Sequence, residues 1–280
     1  MRSAWPAVRN ILKAWALLIG LCAALGALGW WIGGLRVALV FGFGGLLVGL
    51  GSYWYSDRIV LGMVEARELL PGEAPQLQTL VEQLSIRARV LKPRLYVIPD
   101  SFPRALSVGR SPGSSSIVVS TGLLGTPSPA ELEGIVAHEV AHIRHRDTLV
   151  QTTVVVLAGS LVEFSRIGGW LSRALLYVLG PVAASFTHLL LSPKRELEAD
   201  RLAAELCESP HGLADALVRL DQASELVGFT ASPATEPLYT VNPFAEEGLA
   251  KLFVTHPAVG ERVQRLRDLD PGWREKLRAA

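Results

Sequence analysis

The chain has 280 residues, of which half are apolar and only 19% are charged, and its mean hydropathy is +0.33. This balance is too apolar for an ordinary soluble globule and indicates that part of the chain lies in lipid. The formal net charge of +1 gives no electrostatic reason to expect a nucleic-acid partner, which would need a clustered basic face, so we exclude that class.

Two uncharged runs near the N-terminus predict a transmembrane helical hairpin over residues 1–56. The runs cover residues 14–35 and 37–56, and only Arg36 separates them. Each is long enough to cross a membrane, since about 20 helical residues span its ~30 Å hydrocarbon core. Aromatic rings, which prefer the depth of the lipid headgroups, close the two runs at Trp30, Trp31, Tyr53, Trp54 and Tyr55.

A cleaved signal peptide is the competing interpretation of the first run, because Arg2, Arg9 and Lys13 give it a basic start. The apolar stretch is longer than a signal core of roughly 7 to 15 residues, and a second span follows almost at once. These two features favour the membrane hairpin.

The segment 57–148 is predicted to form the first part of a catalytic domain. Residues 57–93 have a mainly helical pattern, and Pro75 stands at a first helical position, where proline is tolerated. Short β-branched or aromatic runs then predict a small antiparallel sheet, with strands at 94–98, 105–108 and 116–120.

The helix that follows carries an H-E-x-x-H motif at His138, Glu139 and His142. Ser128 as N-cap and Glu131 in the capping-box position predict its start. Residues four apart lie on one helix face, so both imidazoles can reach a single tetrahedral Zn²⁺. Glu139 lies about 100° round the helix, close enough to take a proton from a water on the metal. The alternative is two surface histidines beside an ordinary glutamate, which the helical context disfavours.

A second apolar region at 149–192 predicts another hairpin, which gives four membrane spans in all. The charged residues near its middle are Glu163, Arg166 and Arg173. A partly inserted or cavity-facing pair of helices is therefore the alternative. The N-terminal tip and the segments 57–148 and 193–280 hold most of the Lys and Arg residues. By the positive-inside tendency, these three parts face the cytoplasm.

A peptidase zinc needs a third protein ligand and an open fourth position. His145 is too far along the helix, because seven residues rise about 10 Å from the first ligand. The segment 194–206 predicts a helix in which Glu196 and Asp200 share one face and Glu198 points away. We expect Glu196 to ligate the metal and Asp200 to accept a hydrogen bond from a ligand imidazole. Without the first motif, a solvated charged face would be the better interpretation of this helix.

Several ordered motifs carry a resemblance to a known family. They are Tyr53-Trp-Tyr-Ser-Asp57, Ser120-Thr-Gly-Leu-Leu124, His138-Glu-Val-Ala-His-Ile-Arg-His-Arg-Asp147, Arg195-Glu-Leu-Glu-Ala-Asp200 and Thr255-His-Pro257 with Arg262. Over nearly its whole length the chain resembles the HtpX-type membrane zinc metalloproteases, relatives of the CAAX prenyl endopeptidases. The resemblance implies a gluzincin-type α+β catalytic domain on the cytoplasmic side of the cell (inner) membrane, with one Zn²⁺ per chain. It also implies that the substrates are membrane proteins or stress-damaged polypeptides.

The resemblance further implies two residues that stabilise the oxyanion. In the related prenyl proteases a histidine and an arginine are assigned this role, and the matching positions here are His256 and Arg262. A cation or an imidazole donor would stabilise the negative charge of the tetrahedral intermediate. The alternative is that Pro257 starts a short helix and that Arg262 is a surface residue.

One position departs from the family pattern. Members commonly carry asparagine where this chain has Arg104, so substrate binding at this position is not carried over. The strand at 116–120, if it lies at the sheet edge, could still pair with an extended peptide.

We therefore predict a mainly α membrane protein that acts on polypeptides as a zinc metalloendopeptidase. Glu139 would take a proton from the attacking water and later deliver it to the leaving amine. The alternatives are a prenyl-protein endopeptidase and a zinc-binding membrane scaffold or chaperone without proteolysis. The presence of Glu139 argues against the scaffold, since a purely structural site needs ligands and no base. Cys22 and Cys207 are predicted to be ordinary free thiols.

Overall fold

The computed structural model of the chain describes residues 5–125, 127–166, 187, 191–226, 257–270 and 272. Its helices are α1 (Trp5–Met63), α2 (Pro75–Ala88), α3 (Thr121–Gly125), α4 (Pro129–His145), α5 (Asp147–Arg166), α6 (Lys194–Cys207), α7 (His211–Leu226) and α8 (Val259–Arg267). Its strands are β1 (Arg67–Glu68), β2 (Arg94–Ile98), β3 (Ala105–Gly109) and β4 (Ser115–Ser120).

Helix α1 folds back on itself at Gly33 and Gly34, whose backbone angles are not helical. A Cβ atom on Gly29 would lie 2.7 Å from the backbone of the other arm, so the absence of a side chain permits this close approach. Further from the turn, the rings of Trp15 and Tyr53 lie side by side, with their centroids 6.1 Å apart. The predicted helical hairpin is therefore present, with two antiparallel arms.

The hairpin carries a long apolar surface. Among the described residues, the segment Asn10–Gly51 is long and apolar enough to cross a membrane: an 18-residue window in it has a mean hydropathy of 2.1, and only 12% of that window is buried inside the fold. The second predicted hairpin falls largely on residues 167–186 and 188–190, which lie outside the described residues. The count of four spans therefore stays a prediction.

The sheet is mixed, with the strand order β1-β2-β4-β3. Strand β2 pairs antiparallel with β1 but parallel with β4, which in turn pairs antiparallel with β3. The prediction of an antiparallel sheet is wrong because β4, the second strand of the β3–β4 hairpin, pairs in parallel with β2. Since β4 is interior, the strand at 116–120 does not lie at the sheet edge, and the condition for its pairing with an extended peptide is not met. The outer strand on that side is β3.

Both faces of the sheet are buried. Along β4, Ile117 and Val119 pack into a core formed with α2, α4, α6 and α7, because alternate residues of a strand point to the same face. Val118 points the other way, where it joins Val60 of α1 and Val155 of α5. The sheet thus separates a catalytic layer from a layer that contains the base of the membrane hairpin.

Helix α4 lies at the centre of the catalytic layer, where it packs against α6 and α7. Small residues bring α4 and α7 close together. A Cβ atom on Gly134 would lie 2.5 Å from the backbone nitrogen of Leu213, and one on Gly212 would overlap the carbonyl of Ala130. This contact fixes the position of α4 under the sheet.

Both cysteines are free thiols, as the sequence predicts. Cys22 lies in α1 and Cys207 at the end of α6. Burial and the nearby Glu133 raise the pKa of Cys207 to about 12, so its thiol is a poor nucleophile at neutral pH.

Candidate metal centre

Helix α4 is held in place at both of its ends. The Ser128 hydroxyl accepts a hydrogen bond from the Glu131 N–H at 3.3 Å, and the Glu131 carboxylate accepts one from the Ser128 N–H at 2.6 Å, which confirms the predicted capping box. Arg219 adds an ion pair with Glu131 at 2.8 Å. At the other end, Arg146 adopts a left-handed backbone conformation (φ 58°) and stops the helix. These contacts hold both ends of α4, and its buried face carries the two histidines.

The three predicted ligands meet at that buried face. The Nε2 atoms of His138 and His142 lie 3.1 Å apart. Glu196, on α6, places one carboxylate oxygen 3.4 Å from Nε2 of His138 and the other 3.5 Å from Nε2 of His142. All three side chains are buried, and one candidate ligand atom from each lies within 4.8 Å of the other two. This group could hold one metal ion.

A second carboxylate lies behind each imidazole. Nδ1 of His138 is 3.0 Å from Asp200, and Nδ1 of His142 is 3.0 Å from Asp147. Burial alone would raise the pKa of Asp200, but the charge of Arg262 and contacts with His138 lower it to about 2. The pKa of Asp147 also lies below its ordinary value despite burial, because His142 hydrogen-bonds to it. Both carboxylates are therefore ionised at neutral pH.

The state of these carboxylates determines what the imidazoles can bind. An ionised carboxylate only accepts hydrogen bonds, so the Nδ1 nitrogens of His138 and His142 must carry the protons that face it. In the neutral rings, both Nε2 lone pairs then point toward each other and toward Glu196. Such a set of acceptors repels itself unless a cation lies between them. Without a metal, burial lowers the pKa of His142, but Glu196 and Asp147 outweigh burial and raise it to about 10, so a proton then supplies the positive charge that these surroundings favour. The residues therefore fit a bound metal.

Arg262 lies beside the same group and is almost completely buried. Its guanidinium donates two hydrogen bonds to Asp200, at 2.7 and 2.8 Å, and Nη1 lies 3.8 Å from Glu196. Burial lowers the pKa of Arg262, but Asp200 and Glu196 raise it well above its ordinary value. The alternative of a surface arginine is therefore wrong, because α8 turns this residue inward against α6.

The remaining candidates occupy different places. Glu139 is buried on α4, one residue after the first ligand. Glu198 is exposed on the far side of α6, as predicted. His145 does not join the candidate metal group. His256 lies outside the described residues, so its position relative to the site is not described.

Sequence reasoning missed the role of Asp147. This residue ends the His138–Asp147 stretch that carries the family resemblance, and the sequence alone gives it no function. Helix periodicity places it away from the ligand face of α4, and it reaches His142 only because the left-handed Arg146 breaks the helix and starts α5 in a new direction. A carboxylate a few residues after the second histidine is the signal that could have suggested it.

Comparisons with known proteins give the family of the chain. Residues 71–270 match the family model described as Peptidase family M48. A "Protease HtpX homolog" of Pelotomaculum thermopropionicum is 38% identical over 275 residues, which covers 92% of this chain and 98% of the relative. One of Acidiphilium cryptum is 39% identical over 280 residues, covering 93% and 96%. The crystal structure of S. mikatae Ste24p overlaps with a TM-score of 0.47 at 19% identity, over 94% of this chain and 66% of that one.

The fold and the buried His-His-Glu group define a metal-dependent peptidase joined to an apolar hairpin. Because the family model matches more than half of its length, the chain belongs to Peptidase family M48. The predicted resemblance to the HtpX-type proteases is confirmed, and the chain is a metalloprotease.

Proposed function

We propose that the chain is a membrane-embedded zinc endopeptidase in which His138, His142 and Glu196 hold one Zn²⁺. The observation that carries the metal assignment is the spacing of the ligand atoms, at 3.1, 3.4 and 3.5 Å. Ligands bound tetrahedrally at about 2.0–2.1 Å from one zinc ion lie roughly 3.3 Å apart. Calcium and magnesium prefer oxygen ligands in larger number, which two imidazoles do not offer.

The residues around the metal then divide the work of peptide hydrolysis. When bound, the ion would polarise the scissile carbonyl and lower the pKa of a water molecule. Glu139 is the base that accepts a proton from the attacking water, and its protonated form then donates to the leaving amine. Asp200 and Asp147 hold the imidazoles in the tautomer that leaves Nε2 available to the metal.

Arg262 has a second part in the proposal. Its guanidinium keeps Asp200 ionised and in place, and its positive charge lies 3.5 Å from Nε2 of His138, close to where the oxyanion would form. A fixed cation in a buried site stabilises such a charge strongly. His256 is proposed as a second donor on the resemblance alone.

We assign the activity to the cytoplasmic face of the cell membrane, with membrane proteins or misfolded polypeptides as substrates. The apolar segment Asn10–Gly51 supports the membrane assignment, and the placement of Lys and Arg supports the orientation. Arg110, in the turn after β3, hydrogen-bonds to the carbonyl of Trp54 and lies over its ring. This contact ties the catalytic layer to the interfacial end of the hairpin.

The experiment is cleavage of an unfolded model polypeptide by full-length, detergent-purified protein loaded with Zn²⁺. Glu139→Gln should lower the rate at least about 100-fold, because a general base contributes that much or more, while the bound zinc content stays at one per chain. The matched control is Glu133→Gln, on the same helix but with a third of its side chain exposed, and it should cleave at the wild-type rate. Chelation should abolish cleavage, and added Zn²⁺ should restore it.

Three outcomes would overturn the proposal or favour one of its alternatives. Cleavage by zinc-loaded Glu139→Gln at the wild-type rate would remove the glutamate from the mechanism. A wild-type protein that binds zinc but cuts neither this polypeptide nor membrane protein substrates would support the scaffold alternative. A prenylated peptide in the same assay, if it alone is cut, would support the prenyl-protein endopeptidase.

A further inference from the structure

We propose that Asn10, in the first arm of the membrane hairpin, is a positioning residue of the metal centre that acts through Asp147 on His142. The inference rests on the proposed function, since it concerns the same zinc site. It assigns a role in the catalytic machinery to the segment that anchors the chain in lipid.

The contacts form a continuous path. The Asn10 side-chain amide donates to Oδ1 of Asp147 at 2.7 Å and to the carbonyl of His145 at 3.1 Å. The other oxygen of Asp147, Oδ2, lies 3.0 Å from Nδ1 of His142. One amide therefore holds both the end of α4 and the start of α5, and the carboxylate between them faces a metal ligand.

The setting of Asn10 is unusual for its helix. It is only 5% exposed, although most of the surrounding segment presents apolar side chains outward. An amide buried without hydrogen bonds costs free energy, so a residue here must either find partners or be replaced by an apolar one. Both of its partners belong to the junction of α4 and α5.

The junction depends on this support for a geometric reason. Arg146 is in the left-handed region (φ 58°), which costs a non-glycine residue energy and must be held by its surroundings. It leaves the His145 carbonyl at the free end of α4, where Asn10 caps it. It also aims Asp147 back at His142, so the orientation of that carboxylate is fixed from the hairpin side by Asn10.

A consequence for the metal follows. Removing a carboxylate that orients a ligating histidine typically costs about 10- to 100-fold in metal affinity or activity. Because Asn10 acts one step further out, we expect Asn10→Ala to weaken zinc binding by roughly 3- to 10-fold, with a several-fold lower kcat and an unchanged KM at saturating zinc.

The test measures zinc affinity of the full-length, detergent-solubilised protein by competition with a chromophoric chelator. Asn10→Ala is compared with Leu12→Ala, a truncation on the same helix at a side chain that is 61% exposed and should bind zinc like the wild type. Each is also combined with Asp147→Asn. If Asn10 acts through Asp147, Asn10→Ala should cause no further loss in the Asp147→Asn background. Should Asn10→Ala fail to fold, Asn10→Ser keeps a small polar group that does not reach Asp147, and should bind zinc as weakly.

The results separate this inference from the proposed function. An unchanged zinc affinity in Asn10→Ala or Asn10→Ser would overturn it, and so would an equal loss with and without Asp147→Asn, which would indicate a general effect on folding. Both outcomes are read from the zinc affinity, which does not depend on proteolysis. Failure of the wild type to cleave polypeptides would contradict the proposed function and leave the affinity measurement intact.

Discussion

Among the described residues, Arg262 has the largest side chain that is completely buried, and this side chain is charged. Burial of a guanidinium is tolerated only where carboxylates compensate it, and here Asp200 and Glu196 do so. The arginine thus neutralises part of the negative charge that the metal site collects. Its planar fork matches the Asp200 carboxylate with two parallel hydrogen bonds.

We expect Arg262→Met to destabilise the metal-free protein by about 3–5 kcal/mol, because it leaves Asp200 buried without its compensating charge. Arg262→Lys should lose less, since it keeps the charge but not the bidentate geometry. Thermal or denaturant unfolding would measure both. The matched control is Arg265→Met on the same helix, whose side chain is 61% exposed and should change stability little. Equal stability of Arg262→Met and Arg265→Met would contradict this account.

For single residues, helical spacing in the sequence was sufficient to predict which side chains share one helix face. His138 with His142 and Glu196 with Asp200 are each four apart, and the fold brings both pairs together. Asn10 and Asp147 could not be predicted in the same way. Their contribution depends on a left-handed residue between two helices and on packing between distant parts of the chain, neither of which has a periodic signature.

Among the elements, α4 is the one on which the site depends, and its contact with α7 leaves no space for a side chain at Gly134. The close approach at Gly134 means that any added Cβ atom must displace the backbone of Leu213. The helix also carries both histidines and the base, so a shift of α4 moves all three.

Gly134→Ala should therefore destabilise the protein by about 1–3 kcal/mol through overpacking, although alanine is the better helix former. Gly260→Ala is the matched control, because this helical glycine has nothing within 4 Å of an added Cβ atom. The control should be neutral or more stable by up to about 1 kcal/mol. Midpoints of thermal unfolding would show the difference. A stabilised Gly134→Ala would mean that α4 and α7 are less closely packed than described.

The elements themselves follow from local sequence, but their arrangement does not. The capping box at Ser128 and the turn residues around Gly109 predict where α4 and the β3–β4 hairpin lie along the chain. The strand order β1-β2-β4-β3 is decided by long-range pairing, so an alternating pattern cannot separate a mixed sheet from an antiparallel one.

For the whole molecule, the proposed metal would join parts that are far apart in the chain. His138 and His142 come from α4, whereas Glu196 comes from α6, and an apolar segment lies between them. A ligand that binds only the folded arrangement stabilises it by mass action.

Removal of zinc by a chelator should thus lower the unfolding midpoint of the wild type. At a free zinc concentration of 100 times the Kd the bound ion contributes about 2.7 kcal/mol. Glu196→Gln should bind zinc weakly and show little change on chelation. Scanning fluorimetry of both proteins, with zinc and with chelator, is the measurement. A wild-type midpoint that does not respond to the chelator would rule out a zinc site that links α4 and α6.

The separation of Glu196 from the two histidines also affects the protein while it is being made. A ribosome that has translated as far as Leu191 has already synthesised the proposed base and both histidines, but not the proposed third ligand. The nascent chain is therefore without a complete metal site while its apolar segments enter the bilayer. With Glu196 as the third ligand, proteolytic activity would begin only after synthesis has passed α6.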